Sequence, residues 1–331
     1  MPPAIGQTVT GPISGTVGSP LKLDNGMRSN RTTILTPAFS TAALLVVLLV
    51  PAATQPQTVP GTGPSAGAPP ARPAGLANRG GGFREPDPID FNDHNGWSSM
   101  FDGQSLKGWD GDKNYWHVHD GAIVVESTCE RPTGTIYLIW QGGEPADFEM
   151  KAEMKGEGAA VNSGVQYRGA ITDPNRPRGG GGGRGQQGPC PSGAPRGTPP
   201  SFASQAKWDM LGPQFDFDGR NRYTGQFYEQ ATGRGIIAWR GQFVRTEQDK
   251  SPRLLATLGD REELAGYVHV DDWNQLHLIA RGNMMTHIVN GHVMSILIDD
   301  DPTKFRKSGL IGFEIEGTGR ISIRNIWLRK L

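Results

Sequence analysis

Cysteine is nearly absent from this sequence of 331 residues: Cys129 and Cys190 are the two, and no CxxC pair occurs. Two thiolates cannot complete a tetrahedral zinc site, and two cysteines cannot staple a small disulfide scaffold. An excess of charge is also missing, because 33 Lys and Arg balance 33 Asp and Glu for a formal net charge of +0. No long-range field draws such a chain to nucleic acid or to an anionic membrane surface, and neither is expected as a partner. Residues 42–50 (AALLVVLLV) form an apolar run too short to cross a bilayer comfortably, so no stable membrane span is expected. Downstream of residue 85 no strand-to-helix turn carries a Gly-rich dinucleotide or phosphate loop or a GxSxG elbow, and no HExxH pair occurs. Downstream of residue 85 nothing carries the 3.6-residue apolar period of a long amphipathic helix.

Glycine (47) and proline (26) are abundant, but they gather in the first eighty-odd residues and in one later insert, so they report linkers and not a fibrous fold. Near the N-terminus, Arg28 and Arg31 precede the apolar run, and small residues follow it at 51–53. This is the order of a secretory signal, which predicts a start at Met27, a signal peptide over residues 27–53 and residues 1–26 as an upstream start artefact. A short signal anchor is the competing reading. The expected location is therefore exported, periplasmic or secreted. Residues 54–87 read as a disordered Pro/Gly linker, and residues 88–331 as a single β-domain with a Gly/Pro-rich insert at 173–205. The insert contains arginine, but too sparsely and without an aromatic in its glycine run to suggest RNA binding. An oxidising compartment would permit a Cys129–Cys190 bridge; two free thiols are the other reading.

The rest of the chain alternates with period two. Phe148, Met150, Ala152 and Met154 interleave with Glu149, Lys151, Glu153 and Lys155, a pattern expected of a strand with one solvated face. Asn290-Gly291 is a strong hairpin turn, and Asp120-Gly121 is another. His277, His287 and His292 lie on or beside strands at spacings that match no metal motif, and are expected to be ordinary sheet histidines. Many short strands with regular turn signals predict an antiparallel sandwich.

Residues 214–239 (QFDFDGRNRYTGQFYEQATGRGIIAW) carry the densest chemistry. Phe215 and Phe217 point one way, while Gln214, Asp216 and Asp218 form a row on the other. Glu229 and Arg234 flank one tight turn; they read either as site residues or as a cross-strand ion pair. Upstream, Gly164, Gln166 and Arg168 share a face by the same alternation, with the bare glycine leaving room for a ligand. Downstream, Glu314 and Glu316 share a face opposite Phe313 and Ile315.

The ordered motifs FDGxSLxGW, WxVxDGxxV, DFExxxE, NSGVQYR, QFDFDxxNRYTGQFYEQxxGRGI, WNxxxxxAxGNxxxHxxNG, IGFEIEG and IRNI together resemble the 3-keto-disaccharide hydrolase domain family, also described as 3-keto-glucoside lyase and hydratase. The resemblance covers residues 96–331. It implies an all-β, concanavalin/laminarinase-like antiparallel jelly-roll sandwich. It also implies cleavage of 3-keto-glycosides by elimination and hydration, or by hydrolysis, with a non-catalytic carbohydrate-binding sandwich as the alternative. A ketone at C3 acidifies the C2 proton, so a carboxylate can remove it while a donor holds the enolate oxygen. Carried over by position, the resemblance implies Asp216 or Glu229 as the catalytic base, and Gln166, Arg168, Gln214, Arg234 and Glu314 as substrate-binding groups. Glu316 stands where many relatives carry a histidine. A divalent metal held by carboxylate and imidazole would serve as electrophile, but the sequence marks no ligand set for one, and no cofactor is assigned. Laminarinase-type enzymes use an ExDxE strand; here the comparable strand begins with Gln214, which cannot act as the nucleophile of a retaining glycosidase.

Overall fold

The computed structural model describes residues 86–173 and 190–331. The expected start at Met27, the signal peptide, most of the linker and the first half of the insert lie outside these residues. Contacts gather Gly82–Leu331 into one compact unit. Its strands are β1 (Ser98–Ser99), β2 (Trp109–Asp110), β3 (His117–His119), β4 (Ala122–Ser127), β5 (Ile136–Trp140), β6 (Phe148–Ile171), β7 (Met210–Asp218) and β8 (Phe227–Gln230). They continue with β9 (Gly235–Ala238), β10 (Gln242–Glu247), β11 (Arg253–Thr257), β12 (Asn274–Arg281), β13 (Met284–Val289), β14 (His292–Asp300) and β15 (Leu310–Lys330). Two short helices, α1 (Phe202–Gln205) and α2 (Arg261–Ala265), fall in connections; period-two reading passes over both because neither is long enough to show a helical period.

The architecture is the expected all-β jelly-roll sandwich, and two long strands organise it. The first half of β6 pairs with β12 (Met154 with Asn274, Phe148 with Ala280), whereas its second half pairs with β7 (Asn162 with Asp218, Gln166 with Gln214). β15 pairs with β6 along nearly its whole length. One layer therefore runs β11-β10-β14-β13-β12-β6-β15, and the other β9-β8-β7-β6-β15-β5-β2. All pairings are antiparallel except β10 with β14. The crossover between layers happens where Gly158 (φ 104°) meets Gly319 (φ 148°): a Cβ on Gly158 would lie 3.2 Å from the Gly319 Cα. Only glycine accepts both that backbone and that approach, which is how one strand bends out of one sheet into the next.

Between the layers the alternation does what the sequence predicts. Phe148, Met150, Ala152, Met154, Val165, Phe215, Phe217, Phe313 and Ile315 are buried in one core cluster. His287 of β13 lies in that core, stacked on Phe215 with ring centroids 4.2 Å apart. Its Nδ1 contacts the Gln226 carbonyl at 3.1 Å and its Nε2 the Tyr167 hydroxyl at 2.9 Å, so both ring nitrogens are used. Burial drops its pKa to about 3 and keeps it neutral. This is the ordinary sheet histidine expected.

One expectation needs correction, and one open alternative is decided. The charged face of the first half of β6 is not simply solvated, because Lys151 is 1% exposed. Residues 90–97 lie over it: the ammonium donates to the carbonyls of Asp90 (3.1 Å) and Asp93 (3.0 Å) and sits 4.6 Å from the Trp97 ring centroid. The two cysteines, left open by sequence, are bridged, Cys129 to Cys190. The bridge fastens the C-terminal side of the insert to the β4–β5 connection, where Gly197 N–H also donates to the Cys129 carbonyl at 2.8 Å.

Candidate functional site

The layer β9-β8-β7-β6-β15-β5 turns its second face away from the core, and its register fixes which side chains meet there. Tyr137 stands opposite Glu314, Glu314 opposite Gly164, and Gly164 opposite Asp216. One row along, Gly312, Gln166, Gln214 and Tyr228 follow one another across four strands. In a third row Glu316, Asn162 and Asp218 are neighbours. The cause is the period of two: Phe215, Phe227 and Phe313 are pulled into the core, so every second residue between them is presented on the opposite side.

Gly164 has a specific purpose. A Cβ there would lie 2.5 Å from Gln214 Nε2 and 2.7 Å from Gln214 Cγ, so the space expected for a ligand is instead taken by the Gln214 side chain. Lying across the glycine, Gln214 donates to Glu314 Oε2. The Tyr137 hydroxyl donates to Glu314 Oε1 at 2.9 Å. Asp216 accepts from Gln226 Nε2 at 2.6 Å, and Glu316 from Asn162 Nδ2 at 3.3 Å.

These carboxyl groups are poor anions where they sit. Burial, then repulsion from Glu316, pushes Glu314 up to about 8 in spite of its two donors. Asp216 is driven well above the carboxylate range by burial, against which the Gln226 hydrogen bond works, with Glu314, Asp218 and Glu316 adding repulsion. Glu316 is raised by burial, and Tyr228 is raised to about 12 by burial and the nearby carboxylates. Neighbouring carboxyl groups that resist ionisation are the usual raw material of proton transfer at neutral pH. Asp218 is spent differently. It accepts from the backbone N–H of Tyr223 (2.8 Å) and Thr224 (3.1 Å) and so shapes the turn after β7.

Three residues expected at the site are elsewhere. Arg168 breaks the alternation because its backbone is left-handed (φ 46°), which swings its side chain off the Gln166 face. Its guanidinium donates to Ala146 O (2.7 Å) and Gly282 O (2.8 Å), tying two loops together, and has no part in the polar face. Glu229 has the parity of Phe227 and points between the layers. There Arg234 bridges it to Asp299 of β14, donating from Nε to Glu229 Oε2 (2.9 Å) and through two bonds to Asp299 (3.0 and 2.7 Å). The cross-strand ion pair is thus the arrangement found, extended to a third residue. Gln166, Gln214, Asp216 and Glu314 are brought together; Arg168, Glu229 and Arg234 are not.

Tyr137, Asn162, Gln226 and Tyr228 join the face without having been singled out. The signal for each was parity: Tyr137 alternates with Ile136 and Leu138, and Gln226 and Tyr228 flank Phe227.

A divalent metal fits poorly. Among the described residues no three His, Cys, Asp or Glu side chains gather as a metal-holding group, and the imidazole of His287 is in the core with both nitrogens engaged.

The model of the 3-keto-alpha-glucoside-1,2-lyase-like domain matches residues 96–329, which includes every strand of this face. The chain belongs to that family. Among solved structures it is similar to a protein from Parabacteroides distasonis described provisionally as a glycosyl hydrolase (15% identity, 72% of this chain and 94% of that one, TM-score 0.39). It is also similar to the carbohydrate binding module CBM66 from Bacillus subtilis (11%, 66% and 93%, TM-score 0.38) and to a B. subtilis protein of unknown function with a galectin-like fold (12%, 68% and 90%, TM-score 0.40). Likenesses at this level support no inference about chemistry. No curated protein matches the chain.

Proposed function

We propose that this member of the 3-keto-alpha-glucoside-1,2-lyase-like family cleaves the glycosidic bond of 3-keto-glycosides by elimination and rehydration on the face of β5, β6, β7, β8 and β15. The observation that carries the reading is the pair Asp216 and Glu314, each one strand away from Gly164 on the same buried face. Glu314, with a donor on each oxygen, is the better placed of the two to become an anion, and acts as the base. Asp216, with a donor on one oxygen alone, acts as the acid. Glu229 has no role in the reaction under this reading, because it faces the other way.

The base removes the C2 proton of a sugar carrying a ketone at C3, and the electron pair passes into the carbonyl as an enolate. The Tyr228 phenol, held protonated, donates to that oxygen. When the carbonyl reforms, the pair shifts to a C1–C2 double bond and expels the glycosidic oxygen, which takes the proton of Asp216. Asp216, now an anion, takes a proton from water as the water oxygen adds to C1, and Glu314 returns a proton to C2, so that both carboxyls end as they began. Proton transfer in both directions is the chemistry that carboxyl groups of raised pKa can perform.

Exchange of the C2 proton of a 3-keto-α-glucoside in deuterated water tests the base directly. Glu314→Gln should stop exchange, and Asp216→Asn should leave exchange running while slowing bond cleavage by roughly 10²–10⁴-fold. If both variants exchange and cleave at the wild-type rate, the site is wrong; binding without exchange in the wild-type protein points to a carbohydrate-binding module.

A further inference from the structure

The polar face contains hydrogen-bonding capacity that the protein itself leaves unused. Gln166 Oε1, Gln226 Oε1 and Asn162 Oδ1 are buried and have no partner. Gln166 and Gln226 are 0% and 1% exposed. Buried amide oxygens are normally satisfied, and each exception is costly to the folded state. Three on one face therefore call for an explanation.

Their orientation is not arbitrary. An amide could be turned to swap its oxygen and nitrogen, but here every nitrogen already faces an acceptor: Gln166 Nε2 the Gly212 carbonyl (2.7 Å), which can only accept, and Gln226 Nε2 and Asn162 Nδ2 one carboxyl oxygen each of Asp216 (2.6 Å) and Glu316 (3.3 Å). Turning Gln166 would set oxygen against oxygen, and turning Gln226 or Asn162 would do the same against a carboxyl oxygen that carries no proton, any proton lying on the other oxygen, which leaves the amide oxygen as the free atom. Each free atom is an acceptor only, and its complement is a hydrogen donor.

The positions also have a span. Asn162 and Gln166 lie four residues apart on β6 with Gly164 between them, about 13 Å along an extended strand, and Gln226 stands beside Asp216 one strand further on. The three surround the Asp216–Glu314 pair, at a separation that suits a ligand of two sugar rings better than one.

We infer that Gln166, Gln226 and Asn162 are the specificity-determining acceptors of the site, receiving hydroxyl hydrogens from a disaccharide-length sugar. The inference rests on the proposed location of the reaction, but it concerns recognition and not proton transfer. Three neutral acceptors around the reacting pair select a ligand by its hydroxyl groups. A ligand that lacks one forgoes a hydrogen bond to an oxygen that is already out of water, a larger difference than the loss of a solvent-exposed contact.

The test uses the full chain, with a 3-keto-α-glucosyl disaccharide, its 4-deoxy and 6-deoxy analogues, and the unoxidised disaccharide as titrants. Removing one recognised hydroxyl should weaken binding to the wild-type protein roughly tenfold. Gln226→Met and Gln166→Met should weaken the parent sugar similarly, and at least one deoxy analogue should then lose nothing further. Their melting temperatures should fall modestly, because each change also removes the amide donor to the Gly212 carbonyl or the Asp216 carboxyl, and binding is therefore compared at a temperature where every variant is folded. Both deoxy analogues binding as tightly as the parent would overturn the inference, as would variants that melt early yet bind with full affinity. A variant that does not fold leaves the analogue series on the wild-type protein to decide. Should the sugars bind with this hydroxyl dependence but show no C2 exchange, the catalytic reading fails and the recognition stands; exchange with no hydroxyl dependence gives the reverse. Binding of none of the sugars overturns both.

Discussion

Replacing Arg234 by methionine separates an architectural ion cluster from a ligand-binding one. In the wild-type protein Arg234 is the cation between Glu229 and Asp299, whose side chains are 2% and 3% exposed, and Thr232 and Thr246 complete the cluster by donating to them at 2.6 and 2.7 Å. Methionine keeps the unbranched apolar stem of the side chain and removes all five donors, leaving two buried carboxylates without a counter-charge. Breaking a buried pair from one side costs about 3–5 kcal/mol. For a domain of this size each kcal/mol is worth about 2–4 °C, so the melting temperature should fall by roughly 6–20 °C. Thermal melts of both proteins, with C2 exchange measured at a temperature where both are folded, are the assay. A variant that melts within about 2 °C of wild type but has lost exchange or sugar binding would refute the argument and return Arg234 and Glu229 to the site.

Tyr137→Phe removes a donor that favours ionised Glu314, so the base should ionise at higher pH; the rising limb of the pH–rate profile for C2 exchange should move up by about 1 unit with little loss at its plateau. Because Glu314 is raised from 4.5 to about 8 in the folded protein, wild-type stability should decline as pH climbs from about 4.5 to about 8, and denaturant melts of Glu314→Gln should show a flatter dependence over the same window. Replacing Cys129 and Cys190 together by serine opens a loop with a sequence separation of 61, and should cost about 2–4 kcal/mol in chemical denaturation. A cost near zero would mean that the bridge ties down a segment contributing little to the folded domain.

Much of the site was legible because alternation along a strand is a local property. Gln214 and Asp216 lie opposite Phe215 and Phe217, and Glu314 opposite Phe313 and Ile315, whichever strands become their neighbours; the hydrophobic effect needs only to pull the apolar set inward. The same reasoning contained the answer for Glu229. It shares the parity of Phe227, so local alternation already directs it to the core, but a carboxylate is acceptable there only because Arg234 and Asp299 come from elsewhere to meet it. For Arg168 alternation fails outright: the left-handed backbone at that residue is imposed by packing, where Gly309 and the loops at Ala146 and Gly282 close on it.

By itself, then, the sequence determined the strands, the inward set of apolar residues, the turn positions and the family. Each depends on residues a few places apart. The tertiary structure decided what needs strands distant in the chain to be neighbours: that Glu314 is joined by Tyr137 from 177 positions away and by Gln214 from 100, that Lys151 is covered by residues 90–97, and that Cys129 meets Cys190. Register across strands is set by the whole core packing at once, and no local pattern carries it.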